Sequence, residues 1–325
     1  MPRLLVFNPE HDYALAHGGR HYMAPASVRK LASRMQLLPL VWAHEEDYIL
    51  TPDNEAVEAR NGQKKTSLGE IREKIEEISV WGWDAALSYR LETAGFGDYL
   101  LPSQEELEKM RRLSHRRISI KCNKMLGSPL IPEEINSLEG AMEFLKRHNA
   151  CYFKMPWSSG GRGVVTTREL NQQQVAEWVN GCIRRQGSLM AEPEVERVID
   201  FSSLWTLKNG EAVMEGYSIS LSDGRGKYDG NLYGPQDDIK EYIMRHVPDF
   251  DDGTTILQKE FLEKEIAPAY SGKVGIDMMG DKDGRLYPCV EINLRRTMGH
   301  VAIAYEKLGS REKSILKDIP LKSLK

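Results

Sequence analysis

Val274-Gly275-Ile276-Asp277-Met278-Met279 and Val290-Glu291-Ile292-Asn293-Leu294-Arg295 are two runs of mixed apolar and polar residues, joined through Gly280-Asp281-Lys282-Asp283-Gly284. Asp-Gly between apolar stretches signals a hairpin, so the two runs are expected side by side as antiparallel strands. Alternate residues of a strand share a face, which puts Glu291 and Asn293 together with Arg295 next in line. Hard oxygen ligands of this kind suit Mg²⁺, which keeps several waters and binds through one or two carboxylates plus substrate phosphates. The ligand this implies is a magnesium nucleotide.

Upstream, Cys151-Tyr152-Phe153-Lys154 reads as a short buried strand running into Met155-Pro156-Trp157-Ser158-Ser159-Gly160-Gly161-Arg162-Gly163, with a further strand at Val164-Val165-Thr166. A Gly/Ser loop brings backbone N–H groups close to phosphate oxygens, and a strand-borne lysine with a loop arginine adds charge. No Gly-Lys-Ser/Thr opens a helix, and no Gly-x-Gly-x-x-Gly follows the first strand. The P-loop and dinucleotide-binding readings lose ground accordingly.

In this order the set resembles the ATP-grasp superfamily, over roughly Arg116 to Ala304 and by order and spacing rather than one short signature. The resemblance implies that Lys154 and the loop residues Ser158, Ser159, Gly160, Gly161 and Gly163 meet the ATP phosphates. It makes Leu189 to Val195 the hinge strand beside adenine, with Glu192 and Val195 as cofactor contacts and Asp200 as the acid at the ribose. Asp277, Glu291 and Asn293 correspond to its Mg²⁺ ligands. The fold class expected is α/β with an α+β ATP-grasp core: a small amino-terminal parallel α/β domain, then two α+β lobes clasping ATP.

Three positions depart from the family pattern. An earlier phosphate-binding lysine falls on Arg116, with Lys121 as the fallback, and a guanidinium is a planar fork where an ammonium is a point charge. Gly275 stands where D-alanine ligase-like members carry arginine, and Arg295 is the candidate to supply that cation, with Arg296 the alternative register and otherwise a salt-bridge partner for a nearby acid. The spacing from Asp277 to Glu291 is one residue longer than in that type, which predicts a β-bulge at Tyr287-Pro288-Cys289, because proline cannot donate to a ladder.

The 325 residues suffice for several units, expected as 1–113, 114–193, 194–309 and a peripheral tail at 310–325. A net charge of −4 gives no reason to expect a nucleic-acid surface. Leu4 to Phe7 is too short an apolar run for a signal peptide or membrane span, and four scattered cysteines read as small buried residues in a reducing cytoplasm. In the first unit, strands are expected at Leu4 to Phe7, Leu37 to Trp42 and Ile78 to Trp81, with helices at Ser27 to Met35 and Asp84 to Ala94, giving a parallel sheet. Ser103 is expected to cap a helix over Gln104 to Leu113. Helices at Asn123 to Leu126, Ser137 to Arg147 and Asn171 to Cys182 follow, then one over Thr255 to Ala267, with a polar loop from Ser222 to Asn231 over the cleft. His11, Asp12 and Trp83-Asp84 lie past strand ends, the edge where open α/β sheets place ligands, and read equally as acceptor contacts or as turn, cap and surface residues.

The activity implied by the resemblance is an ATP- and Mg²⁺-dependent ligase joining a small carboxylate to an amine or thiol through an acyl phosphate, with Arg295 and Lys154 as catalytic cations. The alternatives are a small-molecule kinase and a nucleotide-binding regulatory module without turnover. A homodimer is the default assembly for such enzymes.

Overall fold

The computed structural model describes residues 1–59, 64–158, 160–161, 163–222 and 228–324. The first unit comprises β1 (Arg3–Val6), α1 (His11–His17), α2 (Ala26–Arg34), β2 (Tyr48–Leu50), β3 (Glu55–Glu58), β4 (Lys65–Ser67), α3 (Leu68–Ile71), β5 (Glu77–Val80) and α4 (Ala85–Thr93). Its sheet runs β4-β3-β2-β1-β5. Leu4, Leu5 and Val6 are buried on both faces, as expected of a central parallel strand, and β1 pairs in parallel with β2 and β5. Strands β3 and β4 add antiparallel pairs, so the sheet is mixed rather than parallel throughout.

The strand expected at Leu37 to Trp42 is instead a 3₁₀ helix, Leu38–Trp42. Leu38, Pro39, Leu40 and Val41 are all buried there, and a short continuous apolar run does not tell strand from helix by period. Pro39, which has no N–H for a ladder, sits at its start, and β2 takes the second place beside β1.

Past Pro102, α5 (Gln104–Leu113) is capped by Ser103 as expected, and Glu106 makes the cap reciprocal: Ser103 Oγ accepts from Glu106 N at 3.3 Å while Ser103 N donates to Glu106 Oε2 at 2.8 Å. Next come α6 (Ile118–Met125), β6 (Glu133–Ile135), α7 (Leu138–His148), β7 (Cys151–Lys154), β8 (Val164–Thr166), α8 (Gln172–Gln186) and β9 (Leu189–Pro193). Strands β6-β9-β7-β8 form one antiparallel sheet, against which α7 and α8 bury Phe144, Val175 and Val179 with Phe153 and Leu189.

The remainder is β10 (Arg197–Lys208), β11 (Glu211–Ser222), β12 (Tyr228–Tyr233), α9 (Gln236–His246), α10 (Asp252–Phe261), β13 (Gly272–Asp281), β14 (Leu286–Asn293), α11 (Met298–Glu306), α12 (Ser310–Ile315) and β15 (Leu321–Ser323). Its sheet runs β14-β13-β10-β11-β12-β15. Three expectations change here. Tyr228 to Asn231 is strand rather than loop, since Ser222 pairs with Tyr228 and Ser220 with Asn231, while residues 223–227 of the expected loop lie outside the described residues. The stretch expected as a tail instead returns to the sheet: β15 pairs in parallel with β12, and Leu316 is buried. Finally, α6 starts at Ile118, well before the expected Asn123, and its Cys122 is buried in the core of the six-stranded sheet with Ile276, Cys289 and Ile292 rather than in the four-stranded one.

Candidate functional site

Strands β13 and β14 pair in antiparallel register with Asp277 opposite Glu291 and Gly275 opposite Asn293. Directly opposed residues share a face, so the three oxygen-bearing side chains converge. Asn293 Nδ2 donates to Asp277 Oδ2 at 2.9 Å, and on the other flank Ser202 Oγ of β10 donates to Asp277 Oδ1 at 2.7 Å. Burial, and then the neighbouring Glu291 carboxylate, push the Asp277 carboxyl up to about 6, against the pull of Ser202, Arg295 and Asn293. Such a carboxyl favours a cation beside it. Among the described residues no cluster of three or more His, Cys, Asp and Glu is gathered, so the oxygen set here is two carboxylates and an amide. It fits an ion of the Mg²⁺ type, which leaves most of its shell to water and phosphate.

The ladder breaks where a bulge was expected. From Asp277 to Met279 β13 advances two residues, while β14 goes from Glu291 to Tyr287, so β14 carries two surplus residues around Pro288. The expected insertion was one; two keep Glu291 in phase with its strand. Carbonyls in this lapse are taken up by side-chain amides: Gln258 Nε2 donates to Pro288 O at 2.9 Å and Asn123 Nδ2 to Cys289 O at 2.7 Å.

Across the cleft, Lys154 at the end of β7 is buried and ion-paired with Glu192 on β9. Glu192 is thus the lysine's counter-ion. Val195, just past the hinge strand, is half-buried, and its carbonyl accepts from Arg197 N at 2.9 Å. Asp200 on β10 is paired with Arg197 at 3.2 Å; burial raises its pKa, with Arg197 and Lys154 pulling it down. Asp200 and Ser202 are alternate residues of one strand, about 7 Å apart. Lys154 acts on Asp200, and Ser202 touches Asp277. A chain of neighbours therefore joins the lysine to the carboxylate cluster.

In the loop after β7, Gly160 and Gly161 have φ of 61° and 75°, in the left-handed region. At Gly163 φ is 145°, and a Cβ would meet the Ser158 Cβ at 2.7 Å. Ser159 and Arg162 lie outside the described residues. Ser158 is buried and bound to Arg116: Nη1 donates to Ser158 Oγ at 2.7 Å, and Nη2 to Glu291 Oε2 at 2.8 Å. Arg116 thereby spans the glycine loop and the carboxylate cluster, with its buried Nε unpartnered among the described residues. Lys121, the fallback for that position, faces outward and pairs with Glu265.

Arg295 is gripped by Asp12, at 3.1 and 3.2 Å from Nε and 3.0 Å from Nη2. Burial opposes ionisation of Asp12, but Arg295 and His11 outweigh it and hold the carboxyl below its usual range. Asp84 caps α4, accepting from Ala86 N and Leu87 N, so the cap reading holds for it. His11 is buried against Asp84, not on the surface. Among the described residues Arg296 makes no salt bridge of the expected kind; its guanidinium lies 4.1 Å over the Trp42 ring, in the 3₁₀ helix that replaced the expected strand. Ser202 was not foreseen. Its signal in the sequence is its place two residues past Asp200, on the same strand face.

The fold is similar to solved structures over nearly the whole of this chain. A biotin carboxylase from Campylobacter jejuni, in a β,γ-ATP complex, superposes with a TM-score of 0.54 at 14% identity, covering 99% of this chain and 72% of that one. A D-alanyl-alanine synthetase A from Vibrio cholerae gives 0.51 at 11% identity, over 97% and 96%. An N5-carboxyaminoimidazole synthetase from Staphylococcus aureus, complexed with ADP, gives 0.51 at 12% identity, over 95% and 78%. The chain has the ATP-grasp fold. No family model and no curated protein matches its sequence, in keeping with identities this low. In this chain Lys154 lies on the four-stranded sheet and Asp277 on the six-stranded one, and the amino-terminal unit supplies Asp12 to Arg295. Among the described residues no helix is long and apolar enough to cross a membrane.

Proposed function

We propose that the protein is an ATP- and Mg²⁺-dependent ligase that joins a small carboxylate to an amine or thiol by way of an acyl phosphate. The observation that carries this reading is the convergence of Asp277, Glu291 and Asn293 on one face, with Ser202 locking Asp277, beneath a glycine loop and a buried lysine. Mg²⁺ at these three side chains would offset phosphate charge. Lys154 and Arg116 would position the phosphates of ATP, with Glu192 orienting the lysine in its buried place. The substrate carboxylate oxygen attacks the γ-phosphorus and the bond to ADP breaks. The amine nitrogen or thiol sulfur then attacks the acyl carbon, loses its proton, and phosphate leaves. Arg295, held in orientation by Asp12, faces the negative charge that builds up in the second step. Gly160, Gly161 and Gly163 give the loop over Ser158 the conformations needed to cover the phosphates and exclude water.

The test is ADP and phosphate release from Mg·ATP with a panel of carboxylates paired with amines and thiols, for the parent, Asp277→Ala and Glu291→Ala. Both variants are expected to lose turnover while folded; full turnover in both overturns the metal assignment. Mass spectrometry of the product separates ligase from kinase, since a kinase leaves phosphate on its product. The contact of Arg116 with Glu291 favours a second reading, a nucleotide-binding module without turnover, because a guanidinium already occupies one carboxylate of the cation site. Stabilisation by nucleotide with no ADP formed across the panel would select it.

A further inference from the structure

A cavity of about 650 Å³ opens in the amino-terminal unit, between the loop after α1 and helix α4. Glu10 follows β1, Asn54 follows β2 and Asp84 follows β5, so it sits at the carboxyl ends of three parallel strands, the edge at which open α/β sheets bind ligands. Its size is that of a small-molecule site.

Its charges are left over from the fold. Arg90 spends Nε on Asn54 Oδ1 at 2.7 Å and Nη2 on Thr51 O at 2.8 Å, and neither is a carboxylate. Arg20 lies 5.0 Å over the Tyr89 ring, with no acid in ion-pair contact among the described residues. Asp84 is fully used, by the α4 amides on Oδ1 and by Asn8 Nδ2 at 3.1 Å on Oδ2. Glu10, half-buried, meets no cation at ion-pair distance among the described residues. Burial raises its pKa, as does the nearby Asp84, while its own backbone N–H and the charges of Arg90 and His11 lower it. Arg20 thus stands with Arg90 and Glu10, which feel each other's charge without forming an ion pair among the described residues, around a wall formed by Tyr22, Tyr89 and Leu87.

We propose that this cavity binds a free amino acid, its carboxylate on Arg20 and Arg90 and its ammonium on Glu10, as the amine acceptor of the reaction. The acceptor role rests on the ligase reading; the binding does not. The cavity adjoins the site through neighbouring residues: Asp84 lies 3.4 Å from His11 Nδ1, and the next residue, Asp12, holds Arg295.

The experiment is isothermal titration of the full chain, without nucleotide, by each proteinogenic amino acid in both its L and D forms, singly. At least one is expected to bind saturably. Its decarboxylated amine and its N-acetyl derivative, and the variants Arg20→Ala and Glu10→Gln with the parent amino acid, are each expected to bind at least about tenfold more weakly. Arg20 is exposed, so its variant carries the test even if Glu10→Gln fails to fold. No saturable binding by any amino acid overturns the proposal, as does undiminished binding of both derivatives, which would mark the cavity as an anion or aromatic site, or parent-like binding by Arg20→Ala. Absence of ADP release sinks the ligase reading and leaves the titration result standing.

Discussion

Replacing Asp277 by asparagine is expected to stabilise the metal-free protein at neutral and alkaline pH. The carboxyl is raised from 3.8 to about 6 by burial and by Glu291, so the folded chain holds its proton more tightly than the unfolded one. The sign follows: the contribution is fully present below pH 3.8 and is lost as pH rises through about 6. A shift of roughly two pH units is worth at most ~3 kcal/mol, less to the extent that the cleft admits water. Asparagine keeps the local bonds, since Ser202 Oγ can turn from donor to acceptor and Asn293 Nδ2 retains an oxygen to meet. Urea unfolding of parent and variant with chelator should show a gap in favour of the variant that is near its maximum at pH 8 and closes towards pH 4. Mg·ATP should narrow or close the gap at pH 8, adding about 2.7 kcal/mol to the parent at a hundredfold excess over Kd and little to the variant. A variant less stable than the parent at pH 8 without metal, or a gap that does not move with pH, would refute this account.

Other outcomes follow from the same geometry. Removing one member of the Asp12–Arg295 pair, as Asp12→Ala or Arg295→Ala, should cost about 3 kcal/mol by leaving a buried charge unpaired, and the double variant markedly less than the sum, in a urea double-mutant cycle. Gly163→Ala should abolish loop closure, because its Cβ meets Ser158 and the φ of 145° suits only glycine; a KM for ATP raised at least about tenfold, with little change in the unfolding midpoint, is the expected split. Arg116→Lys should loosen the bridge from Ser158 to Glu291, and tighter Mg²⁺ binding in the absence of nucleotide, read by titration calorimetry, is the check. His115 and His300 are both held at about 3, chiefly by burial, so they bind protons only on unfolding, and stability should fall as pH drops below 6.5; in His300→Gln the fall in urea midpoint between pH 6 and 4 should be clearly shallower than in the parent, with the His115 share remaining, and an unchanged slope would refute its part.

The hairpin was legible because Asp283-Gly284 marks a turn and Glu291 and Asn293 obey the period of two. Lys154 was legible for a similar reason, as a strand end running into glycines. What sequence reasoning could not supply were contacts between distant segments. Nothing local announces that Asp12 and Arg295 meet across 283 positions, or that Arg116 reaches Glu291 across 175. Leu37 to Trp42 was misread because an apolar run that is buried all round has no polar face to betray its period. The last strand was missed because three residues pairing at a sheet edge carry too little pattern to stand out from a lysine-rich stretch.

Helix α6 gives the glycine loop a fixed fulcrum. Arg116 leads into it, yet Asn123 pins it to the surplus residues of β14 and Cys122 beds it in the six-stranded sheet. Arg116 also donates to Pro156 O, Met155 O and Ser158 Oγ beside the glycines and to Glu291 on β14, so one residue ties both sheets together. A closing of the loop over a nucleotide would have to exchange these bonds, which makes Arg116 the residue whose geometry sets how far that closing can go.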